Sequence, residues 1–403
     1  MRRSLHEMPL SFVATVMLFA LTLLVAAAGT ATAQTPAPAP GAISTKAKHA
    51  VLMDAVSGAV LFQHDADTLS PPASMSKLMT LAVVFRALKN GTLKLSDPIT
   101  MSVNALRTGG APSGTSAMFV PVNETATVEE MLQGIIVQSG NDACIAIAEA
   151  LGGSEQNFAA MMVAEARRIG LPKSTFANAT GLYHADHLMT ARELATLARF
   201  IMHEYPGQFA IFSQKEFNYR KHRFINRNPL LFLDIGSDGM KTGYISQAGY
   251  GMVGTATQDG RRLIVVVNGL ESANDRRDEA RRLLEWGFRS FGEFKLFDPG
   301  EVVGEARVWG GSQFYVPLVG KDGVAIVLPR FPANQRLSAE IRYKGPLKPP
   351  IHKGDEVAHL RVTSSSSATN EVPLFASEDV AEAGTMRRGL DSLLHLALSW
   401  AKL

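Results

Sequence analysis

Three short strings in this chain carry side chains that together can do acyl-transfer chemistry: Ser74-Met75-Ser76-Lys77, Ser139-Gly140-Asn141 and Lys241-Thr242-Gly243. A serine hydroxyl is a poor nucleophile until a base takes its proton. Lys77 follows Ser74 by three residues, which places both on one face of a helix. Only a neutral amine can serve as that base, so a dry site and a second cation must lower its proton affinity. Lys241 is the cation expected to do so. A positioned base of this kind contributes ~10²–10⁴ in rate. The Ser139 hydroxyl can relay a proton to a leaving nitrogen, and the Asn141 amide can hold both Lys77 and a substrate carbonyl. Lys241 and Thr242 offer a charge and a hydroxyl to a carboxylate, while Gly243 lets substrate backbone lie close against a strand. The backbone N–H groups of Ser74 and Tyr244 are the expected oxyanion donors.

Each string alone is weak. About one or two S-x-x-K matches arise by chance in a chain of this length, and Ser399-Trp400-Ala401-Lys402 is such a decoy. Ser102-Val103-Asn104 and Ser272-Ala273-Asn274 repeat the S-x-N pattern. Plainer readings also exist: Ser74 as a helix cap, Ser139-Gly140-Asn141 as a turn, Lys241 as a surface charge. The combination, with the right local context at each member, carries the chemical reading.

That context is legible. Residues 49–54 and 59–64 are short apolar runs around Ser57-Gly58, a hairpin pattern. Residues 74–89 read as a helix that is apolar nearly all round, hence buried, stopped at Asn90-Gly91. Residues 128–137 and 142–151 are helical in pattern, with the Ser139 string as the break between them. Residues 190–203 form another helix, with Thr190 and Glu193 spaced as a capping box. Residues 239–246 read as a strand, and 250–257 with 261–269 as a hairpin around Asp259-Gly260. An amphipathic helix over 275–291 follows. Strands from both ends of this stretch, with helices between, fit an antiparallel sheet packed on a helical cluster.

From about Glu301 the pattern changes to short alternating segments (305–309, 314–318, 324–328, 336–343, 357–362) between Gly/Pro turns, as in a small all-β domain. The polar tract 364–367 reads as a loop. Residues 386–403 place Met386, Leu390, Leu393, Leu394, Ala397, Trp400 and Leu403 on one helical face and charges on the other. Asp391 and His395 suit this helix to a bilayer interface rather than to crossing it; packing on the β domain is the alternative.

At the other end, Arg2 and Arg3 precede an apolar stretch over 10–28 and an A-x-A site at Ala31-Thr32-Ala33, the pattern of a cleaved export signal. A retained membrane helix is the alternative. The roughly 370 residues beyond it are enough for two domains with their own cores. Cys144 is the single cysteine, so an exported chain must rely on packing rather than cross-links. Its apolar surroundings imply a buried thiol. The formal net charge of +3 and the lack of a basic patch interleaved with aromatics argue against nucleic acid. His184 and His187 lack acidic partners at ligand spacing, so no metal is expected and they read as loop histidines.

Residues 49 to about 290 resemble the D-alanyl-D-alanine carboxypeptidases among the low-molecular-mass penicillin-binding proteins. The resemblance is carried by Pro72-Ala73-Ser74-Met75-Ser76-Lys77-Leu78-Met79-Thr80, Val137-Gln138-Ser139-Gly140-Asn141-Asp142-Ala143, Phe176-Ala177-Asn178-Ala179-Thr180-Gly181-Leu182 and Asp238-Gly239-Met240-Lys241-Thr242-Gly243-Tyr244. Val308-Trp309-Gly310-Gly311 and Lys353-Gly354-Asp355 resemble that family's β domain, and the tail resembles its membrane anchor.

The resemblance implies an α+β (α/β) fold: a serine β-lactamase/D,D-peptidase-like transpeptidase domain with an antiparallel sheet and helical cluster, then a small all-β domain and a C-terminal amphipathic helix. The expected divisions are a signal peptide (1–33), a linker (34–48), the catalytic domain (49–297), the β domain (298–376) and linker plus anchor (377–403). Catalytic roles fall on Ser74, Lys77, Ser139 and Asn141. Substrate contacts fall on Lys241, Thr242, Gly243, Tyr244, Arg227 and Arg276, with neighbouring Arg277 leaving the last place open between two residues. No cofactor is implied. The implied partners are peptidoglycan stem peptides, β-lactams as inhibitors and, through the tail, the periplasmic face of the cytoplasmic membrane. Where the family usually has Thr this chain has Ile245, which removes a hydroxyl near the carboxylate clamp. A β-lactamase would need an E-x-x-L-N string, which is absent. A D,D-endopeptidase shares the same serine chemistry, and a non-catalytic wall-binding scaffold would not need these side chains intact. Deleting residues 386–403 is expected to release the protein from membranes; unchanged pelleting on ultracentrifugation would refute the anchor.

Overall fold

The computed structural model describes residues 43–330, 336–364 and 369–384. The segments read from the sequence as an export signal and an amphipathic tail, and residues 365–367 of the polar tract, lie outside the described residues. Ser364 itself ends a strand.

A five-stranded antiparallel sheet organises the larger domain. Its strands are β1 (His49–Asp54), β2 (Val60–His64), β7 (Ser237–Ile245), β8 (Gly249–Gln258) and β9 (Arg261–Leu270), in the order β2-β1-β9-β8-β7. Both hairpins expected from the sequence are present. In β9 the run from Leu263 to Leu270 is buried at every position. Alternation is lost because helices α6 (Ala191–Glu204) and α8 (Ala273–Ser290) both pack on it. Short pairs join the segments between: β3 (Pro98–Thr100) with β4 (Thr125–Thr127), and β5 (Glu216–Tyr219) with β6 (His222–Ile225).

The helical cluster centres on α1 (Lys77–Lys89), whose residues from Lys77 to Phe85 are all buried. The helix expected from residue 74 begins at Lys77 instead. Residues Ala73–Ser76 form a tighter 3₁₀ turn, because Pro71-Pro72 precede it and a left-handed Ala73 (φ 48°) opens it. Around α1 lie α2 (Val103–Gly109), α3 (Val128–Gln133), α4 (Asn141–Gly152), α5 (Glu155–Arg168) and the short α7 (Pro206–Phe209). Helix α3 opens with a closed capping box between Thr127 and Glu130, and runs on through a π turn over Gly134–Gln138. The box expected at α6 is only half closed. Thr190 accepts from the Glu193 N–H, but the Glu193 carboxylate turns to the Lys173 N–H and the Ser174 hydroxyl.

The linker expected through residue 48 is tied down at its end. Glu279 of α8 accepts from the Thr45 hydroxyl (2.8 Å) and the Lys46 N–H (3.1 Å), and Asp275 pairs with Lys46 (2.9 Å).

The all-β domain contains β10 (Phe291–Phe297), β11 (Val302–Arg307), β12 (Tyr315–Val319), β13 (Val324–Pro329), β14 (Leu337–Arg342), β15 (Glu356–Ser364) and β16 (Thr369–Ala376). Strand β10 pairs with β13, and the rest run β11-β12-β16-β15-β14 around a core that includes Val316, Leu318, Ile326, Leu360 and Leu374. The sequence reading named five of these strands and missed β10 and β16. Strand β10 leaves α8 with no turn residue between them. Pro373 argues against a central strand, yet β16 meets β12 only through Phe375 and Ala376, so Pro373 sits where that edge is already open. Glu279→Ala is expected to cost about 1–3 kcal/mol and to expose residues 45–48 to protease, read by thermal denaturation and limited proteolysis; unchanged melting would show that this tie is idle.

Candidate active site

Ser74 sits half-buried in the 3₁₀ turn, and Lys77 Nζ lies 2.8 Å from its Oγ. Lys77 is fully buried. Burial first, and then the nearby Arg227 guanidinium, hold its ammonium down to about 8, against the opposing pull of groups that include Asp142 and Glu155. The second contact of Lys77 Nζ is the carbonyl oxygen of Thr180. Asn178 builds that contact: its Oδ1 accepts from the Thr180 N–H (3.1 Å), the Thr180 hydroxyl (3.0 Å) and the Gly181 N–H (2.8 Å). Gly181 has φ 77°, and a Cβ there would stand 2.1 Å from the Ala73 oxygen. The family resemblance carried by this loop does not by itself give it a role. The signal for one was present, since Asn two and three residues before Thr-Gly is an Asx-turn pattern.

Strand β7 is an edge strand and packs directly on the Ser74 turn. Lys241 is buried on it and is pushed well below the ordinary lysine value, first by burial and then by Lys77, Arg227 and Arg276. Lys77 thus disfavours the Lys241 charge, whereas the cation that lowers Lys77 is Arg227 rather than the expected Lys241. The sequence reading did not name Arg227 in that role. Gly243 lines the cleft and also meets a second demand that the sequence does not reveal. A Cβ there would meet the Pro72 oxygen at 2.9 Å and the Ala73 methyl at 3.1 Å, so its smallness admits the nucleophile's turn. Tyr244 is exposed and stacks on Tyr250, with ring centroids 4.3 Å apart.

The Ser139 string forms the break before α4, with Ser139 left-handed (φ 65°). Asn141 Nδ2 donates to Thr115 Oγ1 (2.9 Å), and its backbone N–H to the Ser116 oxygen (2.7 Å). The expected contact between Asn141 and Lys77 is not made: Lys77 Nζ is engaged by Ser74 and Thr180, and the Asn141 amide is drawn to Thr115. Ser139 Oγ and Asn141 Oδ1 are buried without a hydrogen-bond partner among the described residues. Polar atoms left so in a cleft wall are suited to completion by a ligand. Behind them, the Asp142 carboxylate accepts from the Met118 (2.8 Å), Phe119 (2.9 Å) and Ala143 (2.9 Å) N–H groups and fixes the wall segment.

These groups surround a cleft of about 930 Å³ whose lining includes Ser74, Ser139, Asn141, Thr242, Arg227 and Arg276 and no carboxylate. Arg227 donates to Ser116 Oγ (2.6 Å). Arg276 lies over the Tyr250 ring at 5.6 Å, with its Nε buried and without a partner among the described residues. Arg277 pairs with Asp278 (2.8 Å) and does not line the cleft, so the open choice falls on Arg276. Ile245 also lines the cleft.

The remaining sequence candidates have structural roles. Ser102 and Ser272 cap α2 and α8; Ser399 lies outside the described residues. Cys144 is buried, and burial pushes its thiol up to about 12. His187 is buried and held down to about 4, chiefly by burial, with Nδ1 accepting from the Ala177 N–H (3.3 Å). Among the described residues no three His, Cys, Asp or Glu side chains gather as a metal site.

The family described as D-alanyl-D-alanine carboxypeptidase matches residues 31–272, and the penicillin-binding protein 5 C-terminal domain matches residues 291–382. The D-alanyl-D-alanine carboxypeptidase DacC of Escherichia coli K12 is 36% identical over 89% of this chain and 90% of its own length. DacA of Haemophilus influenzae is 34% identical over 85% and 88%. Among solved structures, penicillin binding protein 5 from Haemophilus influenzae superposes with a TM-score of 0.72 at 33% identity, over 85% of this chain and 99% of that one. DacD from Francisella tularensis gives 0.66 at 27% identity, over 87% and 97%.

The Lys77 value sets a pH profile. Below about 8 the amine is protonated and cannot accept a proton, so acylation of Ser74 is expected to rise about tenfold per pH unit up to that value and then level. Second-order rate constants for acylation by benzylpenicillin between pH 5.5 and 9.5 test this; a profile flat across that range would remove Lys77 as the base.

Proposed function

This chain belongs to the D-alanyl-D-alanine carboxypeptidase family, and from that premise we propose that it removes the terminal D-alanine of peptidoglycan stem pentapeptides through an acyl-enzyme on Ser74. The observation that carries the reading is the 2.8 Å approach of a fully buried Lys77 amine to the Ser74 hydroxyl.

Neutral Lys77 takes the Ser74 proton as Oγ attacks the carbonyl carbon of the penultimate D-alanine. The backbone N–H groups of Ser74 and Tyr244 receive the developing oxyanion. The C–N bond breaks, Lys77 passes the proton it took through Ser139 to the leaving nitrogen, and D-alanine departs. Water then attacks the ester, giving its proton back through Lys77 and freeing Ser74. Asn141 orients the substrate amide. Thr242, Arg227 and Arg276 face the terminal carboxylate, with Lys241 buried behind the lining, in keeping with a cleft lined by no carboxylate of its own. A β-lactam enters by the same attack, but its leaving nitrogen stays tethered to the acyl group.

Export by the segment 1–33, and peripheral attachment by residues 386–403, would place this chemistry at the periplasmic face of the cytoplasmic membrane. Mass spectrometry of muropeptides after digestion is expected to show pentapeptides shortened by one D-alanine with cross-links retained. Ser74→Ala should abolish both that activity and covalent labelling by fluorescent penicillin. Loss of cross-links instead would make the enzyme an endopeptidase, and labelling that survives the substitution would remove Ser74 as nucleophile.

A further inference from the structure

We propose that Ala73 is a positioning residue for Ser74, its left-handed backbone aiming the Ser74 hydroxyl and N–H into the cleft. The inference rests on Ser74 being the nucleophile, as proposed above. Ala73 has φ 48° and is 1% exposed. Glycine enters this region freely, whereas a residue with a Cβ is strained there. Such a conformer persists only where the surroundings over-determine it, and here they do so from three directions.

Upstream, Asn268 of β9 donates to the Pro71 oxygen (3.3 Å) and the Ser70 hydroxyl (3.2 Å), and Pro71-Pro72 restrict the approach. On one wall, the Ala73 oxygen accepts from Ser76 Oγ (3.0 Å) and lies so close to Gly181 that no Cβ fits between. On the other wall, the Ala73 methyl lies 3.1 Å from where a Cβ at Gly243 of β7 would stand, so the two pack together only because Gly243 has none. Ala73 is thus clamped between the loop that holds Lys77 and the strand that carries Lys241. Its methyl is the wedge that keeps the turn from relaxing. The 2.8 Å contact between Ser74 and Lys77 forms within the turn that Ala73 opens.

Ala73→Gly removes the wedge and the strain while leaving every polar group in place. Its melting temperature is expected to rise by about 2–4 °C. The limiting rate constant for acylation by benzylpenicillin is expected to fall about tenfold, with the dissociation constant of the preceding non-covalent complex unchanged. Ala73→Ser keeps a Cβ and should acylate as the parent does. Acylation of Ala73→Gly at the parent rate, a lowered melting temperature, or Ala73→Ser as slow as the glycine variant would each overturn the proposal. Mass spectrometry of the penicilloyl peptide in the parent protein tests the premise separately. An adduct away from Ser74 defeats the proposed function, whereas an adduct on Ser74 with full-speed Ala73→Gly defeats only the positioning role.

Discussion

A dry lysine amine beside a serine hydroxyl is the constraint on which the rest of this structure depends. Lowering Lys77 from 10.5 to about 8 means that its site, burial first, disfavours the charged form by about 3 kcal/mol on balance. A carboxylate in contact would restore that charge and end its use as a base. The fold instead gives the amine two neutral acceptors, Ser74 Oγ and the Thr180 oxygen. The neighbouring carboxylates are occupied elsewhere: Asp142 accepts from Met118, Phe119 and Ala143, and Glu155 from Ala179. Among the described residues Lys77 forms no ion pair, and this restraint is as much a part of the site as the contacts it makes.

Three structural units meet to build that environment. The turn before α1 supplies the serine and lysine, the break before α4 supplies Ser139 and Asn141, and edge strand β7 supplies Lys241 and Thr242. An edge strand is ordinarily a liability because its outer backbone groups lack partners. Here that edge forms one wall of the cleft, so the unpaired groups lie where an extended peptide can use them.

Much of this was readable in advance because local chemistry and global fold agree. The apolar girdle of residues 78–85 announced a buried helix, Asp259-Gly260 announced a hairpin, and the three strings announced the site. What stayed hidden depends on contacts between segments distant in sequence. The roles of Thr180 and Arg227 toward Lys77 arise from residues more than a hundred positions away. The Thr190–Glu193 spacing looked like a complete cap, but Lys173 and Ser174 captured the carboxylate. Asn141 was expected on Lys77, and Thr115 took its amide instead. In each case a competing partner supplied by tertiary packing decided the outcome, and no window of sequence contains that partner.

The closeness of Gly181 and Gly243 to the segment Pro72-Ala73 has an evolutionary consequence. Neither position has room for a side chain, so the floor of the site is closed to gradual variation, and most substitutions there would be lost with the fold. Diversification of such an enzyme is channelled to the rim, where Tyr183, Tyr244 and Ile245 line the cleft and the two tyrosines project into solvent. Lineages built on this chain can therefore change what they accept without touching how they react.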